Sequence, residues 1–167
     1  MFEELLQKVL AQYRLDAGGV HGIHHWGRVL ENGRRLAPLT GADLRVIELF
    51  AIFHDACRLN DKLDHDHGPR AAGLVASLRG AIDLDDDAFA LLALACECHT
   101  RGPRFPCDVT VLTCLDADRL DIPRVGMNIR PGLLFTSAAR DSRMIRWAGA
   151  RAWHGETPAV CAAEWGL

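Results

Sequence analysis

The sequence lacks the features that mark membrane-spanning, disordered and nucleic-acid-binding chains. Its 167 residues contain no run of about 18 uncharged apolar residues, the length that a membrane span requires. No basic run is longer than the pair Arg34-Arg35, and the formal net charge is only -3. Neither feature supports binding to a nucleic-acid polymer or to a membrane surface. Repeats, low-complexity segments and long linkers are also missing, so we expect a single domain over residues 1–167.

Disulfide bonds are not expected, although the chain has six cysteines. The N-terminal segment MFEELLQKVL carries acidic residues and a lysine, which excludes the apolar core of a signal peptide. We therefore expect a cytoplasmic protein whose cysteines are reduced thiols. Cys96, Cys98 and His99 offer zinc-type ligands, but the second ligand pair of a structural zinc site is missing from the sequence.

Helical periodicity runs through nearly the whole chain, and no segment alternates apolar and polar residues as a strand would. We predict an all-α domain of about seven helices. The third, over about residues 42–57, is apolar almost all round and should be central and buried. Pro38 is expected to end the second helix, and the seventh is expected over about residues 137–151.

Polar side chains interrupt the apolar pattern in three separate segments. His54 and Asp55 interrupt the most apolar helix immediately after Phe53, Asp116 lies within another apolar run, and His25 flanks the apolar stripe of the second helix. A buried carboxylate without a partner costs several kcal/mol or more, so Asp116 needs a cation or a set of hydrogen-bond donors. An ion pair with Arg119 is one solution. A metal ion held by side chains from several helices is another, and it would satisfy all of these groups together.

In this order and context, His25, His54-Asp55 and Asp116 resemble the H…HD…D signature of the HD-domain superfamily of metal-dependent phosphohydrolases. The motifs span about residues 20–120, followed by a helical extension over about 121–167. Residues 67–72 and 116–126 are similar to segments of poorly characterised bacterial members. The resemblance implies that the four signature residues bind a divalent cation and leave coordination positions open. Such ligands suit Mn²⁺, Fe²⁺, Co²⁺, Ni²⁺, Zn²⁺ or Mg²⁺ without selecting one.

The resemblance also implies hydrolysis of a phosphate ester by metal-activated water, with a nucleotide or another small phosphorylated metabolite as the substrate. Asp55 or Asp116 would orient that water. Arg58, Arg70 and Arg119 are candidates for phosphate binding, although each is also consistent with an ordinary surface arginine. Many family members carry Lys or Glu where this chain has Arg58, and the missing glutamate leaves no evident general base.

His67, His99 and His21 are candidates for a second metal site or for substrate contact. His67 precedes a predicted helix N-terminus, which can bind an anion, but it is also placed to cap that helix. His99 lies on an apolar face and is equally consistent with a core histidine. His21 lies four residues before His25, where the neighbouring glycines place it at the mouth of a pocket. Two other functions remain open on this fold: a non-catalytic module that binds metal and nucleotide, and a di-iron oxygenase.

Overall fold

The structure is a computed structural model that describes residues 2–104 and 106–166. Within these ranges it contains nine α-helices, three short 3-10 helices and no β-strand, which confirms the all-α prediction. No described helix has both the length and the hydrophobicity of a bilayer span. The α-helices are α1 (Phe2–Leu10), α2 (Ile23–Thr40), α3 (Leu44–Phe53), α4 (His67–Ser77), α5 (Asp86–Cys98), α6 (Val109–Arg119), α7 (Ser137–Arg140), α8 (Ser142–Trp153) and α9 (Ala159–Ala163). The 3-10 helices are Arg79–Ala81, Ile122–Val125 and Pro131–Leu133.

Two of the predicted helix boundaries are wrong. Pro38 does not end α2, which continues to Thr40 and stops at Gly41, a residue with a left-handed φ of 76°. A proline removes one backbone hydrogen bond, but here it lies in the last turn of a long helix that is otherwise packed in the core. The seventh predicted helix is divided into α7 and α8. Asp141 leaves the helical conformation and caps α8 by accepting hydrogen bonds from two backbone amides of its first turn.

Helix α3 lies at the centre of the core, as its apolar sequence predicts. Asp43 caps its N-terminus, and seven of its ten residues are buried. The helix packs against α2, α5 and α6. Because burial of one large apolar side chain contributes roughly 1.5–3 kcal/mol, α3 is a major source of stability. It ends at Phe53, so His54 and Asp55 lie in the turns that follow it. The sequence had suggested that both residues lie within the helix.

Two glycines allow the close backbone contacts that bring the histidine-bearing segments together. A Cβ atom on Gly22 would lie 2.0 Å from the carbonyl oxygen of Ala17, so only glycine fits where the preceding loop folds back against the start of α2. A Cβ atom on Gly68 would lie 2.7 Å from the carbonyl oxygen of Glu97. The start of α4 therefore touches the end of α5 backbone to backbone, and His67 comes close to His99.

Candidate metal centre

The buried side chains of His25, His54 and Asp55 form a first cluster, and Asp118 lies at its edge. The Nε2 atoms of His25 and His54 lie 3.0 Å apart. Asp55 Oδ2 lies 3.5 Å and 3.8 Å from these two nitrogens, and Asp118 Oδ1 lies 3.4 Å and 3.8 Å from them. Donors bound about 2.1 Å from one ion are about 3.0–3.5 Å apart at octahedral or tetrahedral angles. The first cluster therefore has close to the dimensions of a metal site.

Asp55, His67 and His99 form a second cluster, and all three residues are buried. Asp55 Oδ1 lies 3.1 Å from His67 Nε2 and 3.6 Å from His99 Nε2. The two Nε2 atoms are 2.8 Å apart. Because the other oxygen of Asp55 faces the first cluster, a single carboxylate is shared by both. The sequence offered both histidines as candidates for a second metal site, with a helix cap or a core position as the alternative for each, and the structure places them side by side at this carboxylate.

All four histidines direct their Nδ1 atoms at an oxygen that accepts hydrogen bonds. The partners are Asp121 Oδ2 for His25, the Phe50 and Ala51 carbonyls for His54, the Asp64 carbonyl for His67 and the Cys96 carbonyl for His99. Carbonyl and carboxylate oxygens cannot donate, so each Nδ1 carries the proton. In the neutral ring, each Nε2 then presents a lone pair to its cluster.

In the first cluster the lone pairs of His25 and His54 therefore face each other, an arrangement that is repulsive without a cation or a proton between them. In the second cluster the Arg58 guanidinium and the Thr100 hydroxyl each lie 3.2 Å from His67 Nε2 and can donate to it. Burial lowers the pKa of His54 to about 3. Burial and the charge of Arg124 also disfavour the charged form of His25, but hydrogen bonds to Asp118, Asp121 and Asp55 outweigh them and raise its pKa to about 9. A single proton can thus hold the His25–His54 pair together, and a divalent cation would satisfy both rings directly.

Asp121 orients His25, and the sequence interpretation missed it. Its carboxylate accepts hydrogen bonds from His25 Nδ1 at 2.7 Å and from Arg28 Nε at 2.7 Å. Burial opposes its ionisation, but the contacts with His25 and Arg28 lower its pKa. Carboxylates in this position fix the tautomer and orientation of metal-binding imidazoles. One feature of the sequence could have identified Asp121: it lies three residues after Asp118, a spacing that puts both side chains toward one side of the chain.

Asp116 joins neither cluster, so its expected role as the fourth ligand is corrected. Its carboxylate accepts three hydrogen bonds, from the Phe135 amide at 2.8 Å, the Thr136 amide at 2.8 Å and the Thr136 hydroxyl at 2.7 Å. Burial raises its pKa, and these hydrogen bonds offset part of that effect. Residues two apart on a helix differ by about 200° in direction, so Asp116 and Asp118 face opposite sides of α6. The expected ion pair with Arg119 does not supply these donors either.

His21 contacts the centre through the shared carboxylate. Its Nδ1 lies 2.9 Å from Asp55 Oδ2, and the Arg124 guanidinium lies 3.3 Å from the same nitrogen. Neither group of metal-type donors found among the described residues includes His21. The structure thus places this predicted candidate beside the centre, where it can hold Asp55 in position.

Both clusters open onto a cavity of about 380 Å³. Its cationic lining comes from Arg58, Lys62, Arg119 and Arg124. One edge is apolar and consists of Ile122, Val125 and Met127. A cavity with cations beside a carboxylate–histidine centre and an apolar edge is suited to an organic anion.

The three predicted phosphate-binding arginines have different positions. Arg58 and Arg119 line the cavity. Arg70 does not belong to that lining: its guanidinium donates to the Cys57 carbonyl and to Asp64 Oδ2, the latter at 2.6 Å. Arg70 therefore supports the loop between α3 and α4.

Comparisons with known proteins identify one related structure. A scan against protein-family models and a search of curated proteins find no match. Among solved structures, the chain is similar to the crystal structure of a predicted HD superfamily hydrolase from an uncultured Thermotogales bacterium. The two chains are 27% identical, with a TM-score of 0.64, and the match covers 89% of this chain and 83% of the other. The likeness confirms the resemblance to the HD superfamily and, with the two clusters, agrees with a metal-dependent hydrolase.

Proposed function

We propose that this protein hydrolyses phosphate esters with two divalent metal ions at the paired clusters. The observation that carries the proposal is the presence of two imidazole pairs, with their Nε2 atoms 3.0 Å and 2.8 Å apart, on either side of one carboxylate. Imidazole and carboxylate donors suit Mn²⁺, Fe²⁺, Co²⁺, Ni²⁺ and Zn²⁺. The proposed ligands are His25, His54, Asp55 and Asp118 for the first ion and Asp55, His67 and His99 for the second.

When bound, the ions would lower the pKa of a water molecule and offset negative charge on the phosphoryl group. The chain itself would orient the reactants. Burial opposes ionisation of Asp118, but the hydrogen bond to His25 holds its pKa well below the ordinary value, so it remains a carboxylate. Its side chain is 19% exposed, against 4% for Asp55, and it lines the cavity. Asp118 is therefore placed to accept a hydrogen bond from the attacking water.

The cationic lining supports a phosphorylated substrate. Arg58, Arg119 and Arg124 line the cavity, and planar guanidinium groups can bind two phosphate oxygens at once. The apolar edge formed by Ile122 and Val125 is suited to the organic part of the ester. A nucleotide or another small phosphorylated metabolite fits this division of the cavity.

The test combines metal analysis with an activity screen. Purified protein is analysed for bound metal, loaded with Mn²⁺, Co²⁺ or Ni²⁺, and assayed against phosphomonoesters, phosphodiesters and nucleotides. We expect turnover that Asp118→Ala abolishes. Asp83→Asn, an exposed carboxylate outside the cavity, serves as the matched control and should keep it. Turnover that persists in folded Asp118→Ala protein would contradict the proposal.

The same donors also suit a pair of iron ions, so an oxygenase is a second candidate. Iron-loaded protein that consumes dioxygen, with no phosphate release under any metal, would favour that function. Tight nucleotide binding without turnover in any metal would instead indicate a non-catalytic binding module.

A further inference from the structure

Arg58 is a buried cation held at a defined point of the cavity. Its side chain is only 8% exposed. The guanidinium Nε donates to the Asn60 carbonyl at 3.3 Å, and one terminal nitrogen donates to the Lys62 carbonyl at 2.8 Å. Two of the three guanidinium nitrogens are therefore hydrogen-bonded to the loop after α3, and the third faces the centre.

The third nitrogen of Arg58 lies against the second cluster. It is 3.5 Å from Asp55 Oδ1 and 3.2 Å from His67 Nε2, which are two of the three proposed donors to the second ion. Among the described residues, no arginine makes a contact of this kind with His25, His54 or Asp118, the donors that belong to the first cluster alone. Arg124 reaches that side through Asp121, at 3.8 Å, and through His21. Its charge is felt at His25 and Asp118, but the Asp121 carboxylate, which contacts both Arg124 and His25, offsets it.

The charges around the two clusters are therefore unequal. The first cluster supplies two carboxylates, Asp55 and Asp118, to balance an ion. The second supplies only the shared carboxylate of Asp55, and the positive charge of Arg58 already offsets part of it. Charges separated by a few ångströms in a buried site interact strongly, because little water screens them.

We propose that Arg58 makes the two metal sites unequal, so that the first ion binds tightly and the second binds weakly. This inference rests on the two-ion centre of the proposed function and adds an order of binding to it. The guanidinium charge repels an ion at the second cluster, whereas the first cluster is shielded by its additional carboxylate.

The test is a titration of metal-free protein with Mn²⁺ alone. Binding is measured by calorimetry and by electron paramagnetic resonance of the free Mn²⁺. We expect two steps in the wild type, with the second at least about tenfold weaker. Arg58→Gln and Arg58→Met should each strengthen the second step at least about tenfold and leave the first within about threefold. Arg119→Gln, the matched control, removes the same charge from the same cavity but away from the second cluster, and should keep the wild-type separation.

Several results would overturn the inference. Two equal, tight steps in the wild type would do so and would leave the two-ion centre intact. A second step that stays weak in both Arg58 variants would remove Arg58 as its cause. If both variants lost both steps while circular dichroism showed a folded protein, Arg58 would be a support of the whole centre and not a competitor. A wild type that binds no Mn²⁺ would contradict the proposed function itself.

Discussion

Replacing Asp116 and Asp118 separately by asparagine distinguishes the structural carboxylate of α6 from the proposed metal ligand. The two residues have the same side chain, are two positions apart and differ chiefly in the direction that they face. We expect Asp116→Asn to lower stability with little effect on metal affinity, and Asp118→Asn to lower metal affinity strongly.

The magnitude for Asp116 follows from its three hydrogen bonds. An asparagine at this position keeps one acceptor oxygen but turns an NH₂ group toward the amide donors of Phe135 or Thr136. A hydrogen bond to a charged group contributes about 1.5–3 kcal/mol, so losing one or two should cost roughly 2–5 kcal/mol. For a chain of this length, 1 kcal/mol corresponds to about 2–4 °C in Tm, so we expect a decrease of roughly 5–15 °C.

The magnitude for Asp118 concerns the first metal ion. Losing even a group that orients a ligand weakens metal binding about 10–100-fold, so losing a ligand carboxylate should weaken it at least about 100-fold. That factor corresponds to about 2.7 kcal/mol. In metal-free protein Asp118 also accepts a hydrogen bond from His25, so Asp118→Asn should lower the unfolding free energy as well, by roughly 1–3 kcal/mol.

The assay pairs urea denaturation of metal-free protein with calorimetric titration of Mn²⁺. A loss of Mn²⁺ affinity in Asp116→Asn at unchanged stability would refute the reassignment. Full affinity in Asp118→Asn would refute it equally, because the proposed ligand would then be dispensable.

Three further predictions concern the surroundings of the centre and the surface of the fold. Asp121→Asn should weaken the first metal step about 10–100-fold in a Mn²⁺ titration, because His25 loses the carboxylate that orients it; unchanged affinity would count against that role. Gly68→Ala should cost about 1–3 kcal/mol in urea denaturation and selectively weaken the second step, since the added Cβ forces α4 away from α5; an equal loss of both steps would contradict this. A hydrogen bond from Arg34 lowers the pKa of Glu164 below its ordinary value of 4.5, so the pair stabilises the fold above about pH 4.5 and loses this effect as the pH falls. The stability difference between wild type and Glu164→Gln should therefore be largest at neutral pH, below about 1 kcal/mol, and shrink in acid; a constant difference would exclude this pair as its source.

The sequence was sufficient to predict the all-α fold and to single out some of the residues that the structure brings together in the two clusters. Apolar periodicity identified α3 as the central helix, because a helix that is apolar on every side must be covered on every side. The same pattern made His54 and Asp55 conspicuous, since polar groups that follow such a helix directly need partners inside the core. For His25, the resemblance to a known motif added what periodicity alone could not provide.

What the sequence by itself determined is which segments are helical and which polar residues enter the core. Only the tertiary structure decided which of those residues meet. Nearly every side of α6 is buried, so its apolar pattern could not show that Asp118 faces the histidines while Asp116 faces the start of α7. Likewise, His67 and His99 meet because α4 and α5 touch at Gly68, and such a contact between distant segments depends on packing that no local pattern records.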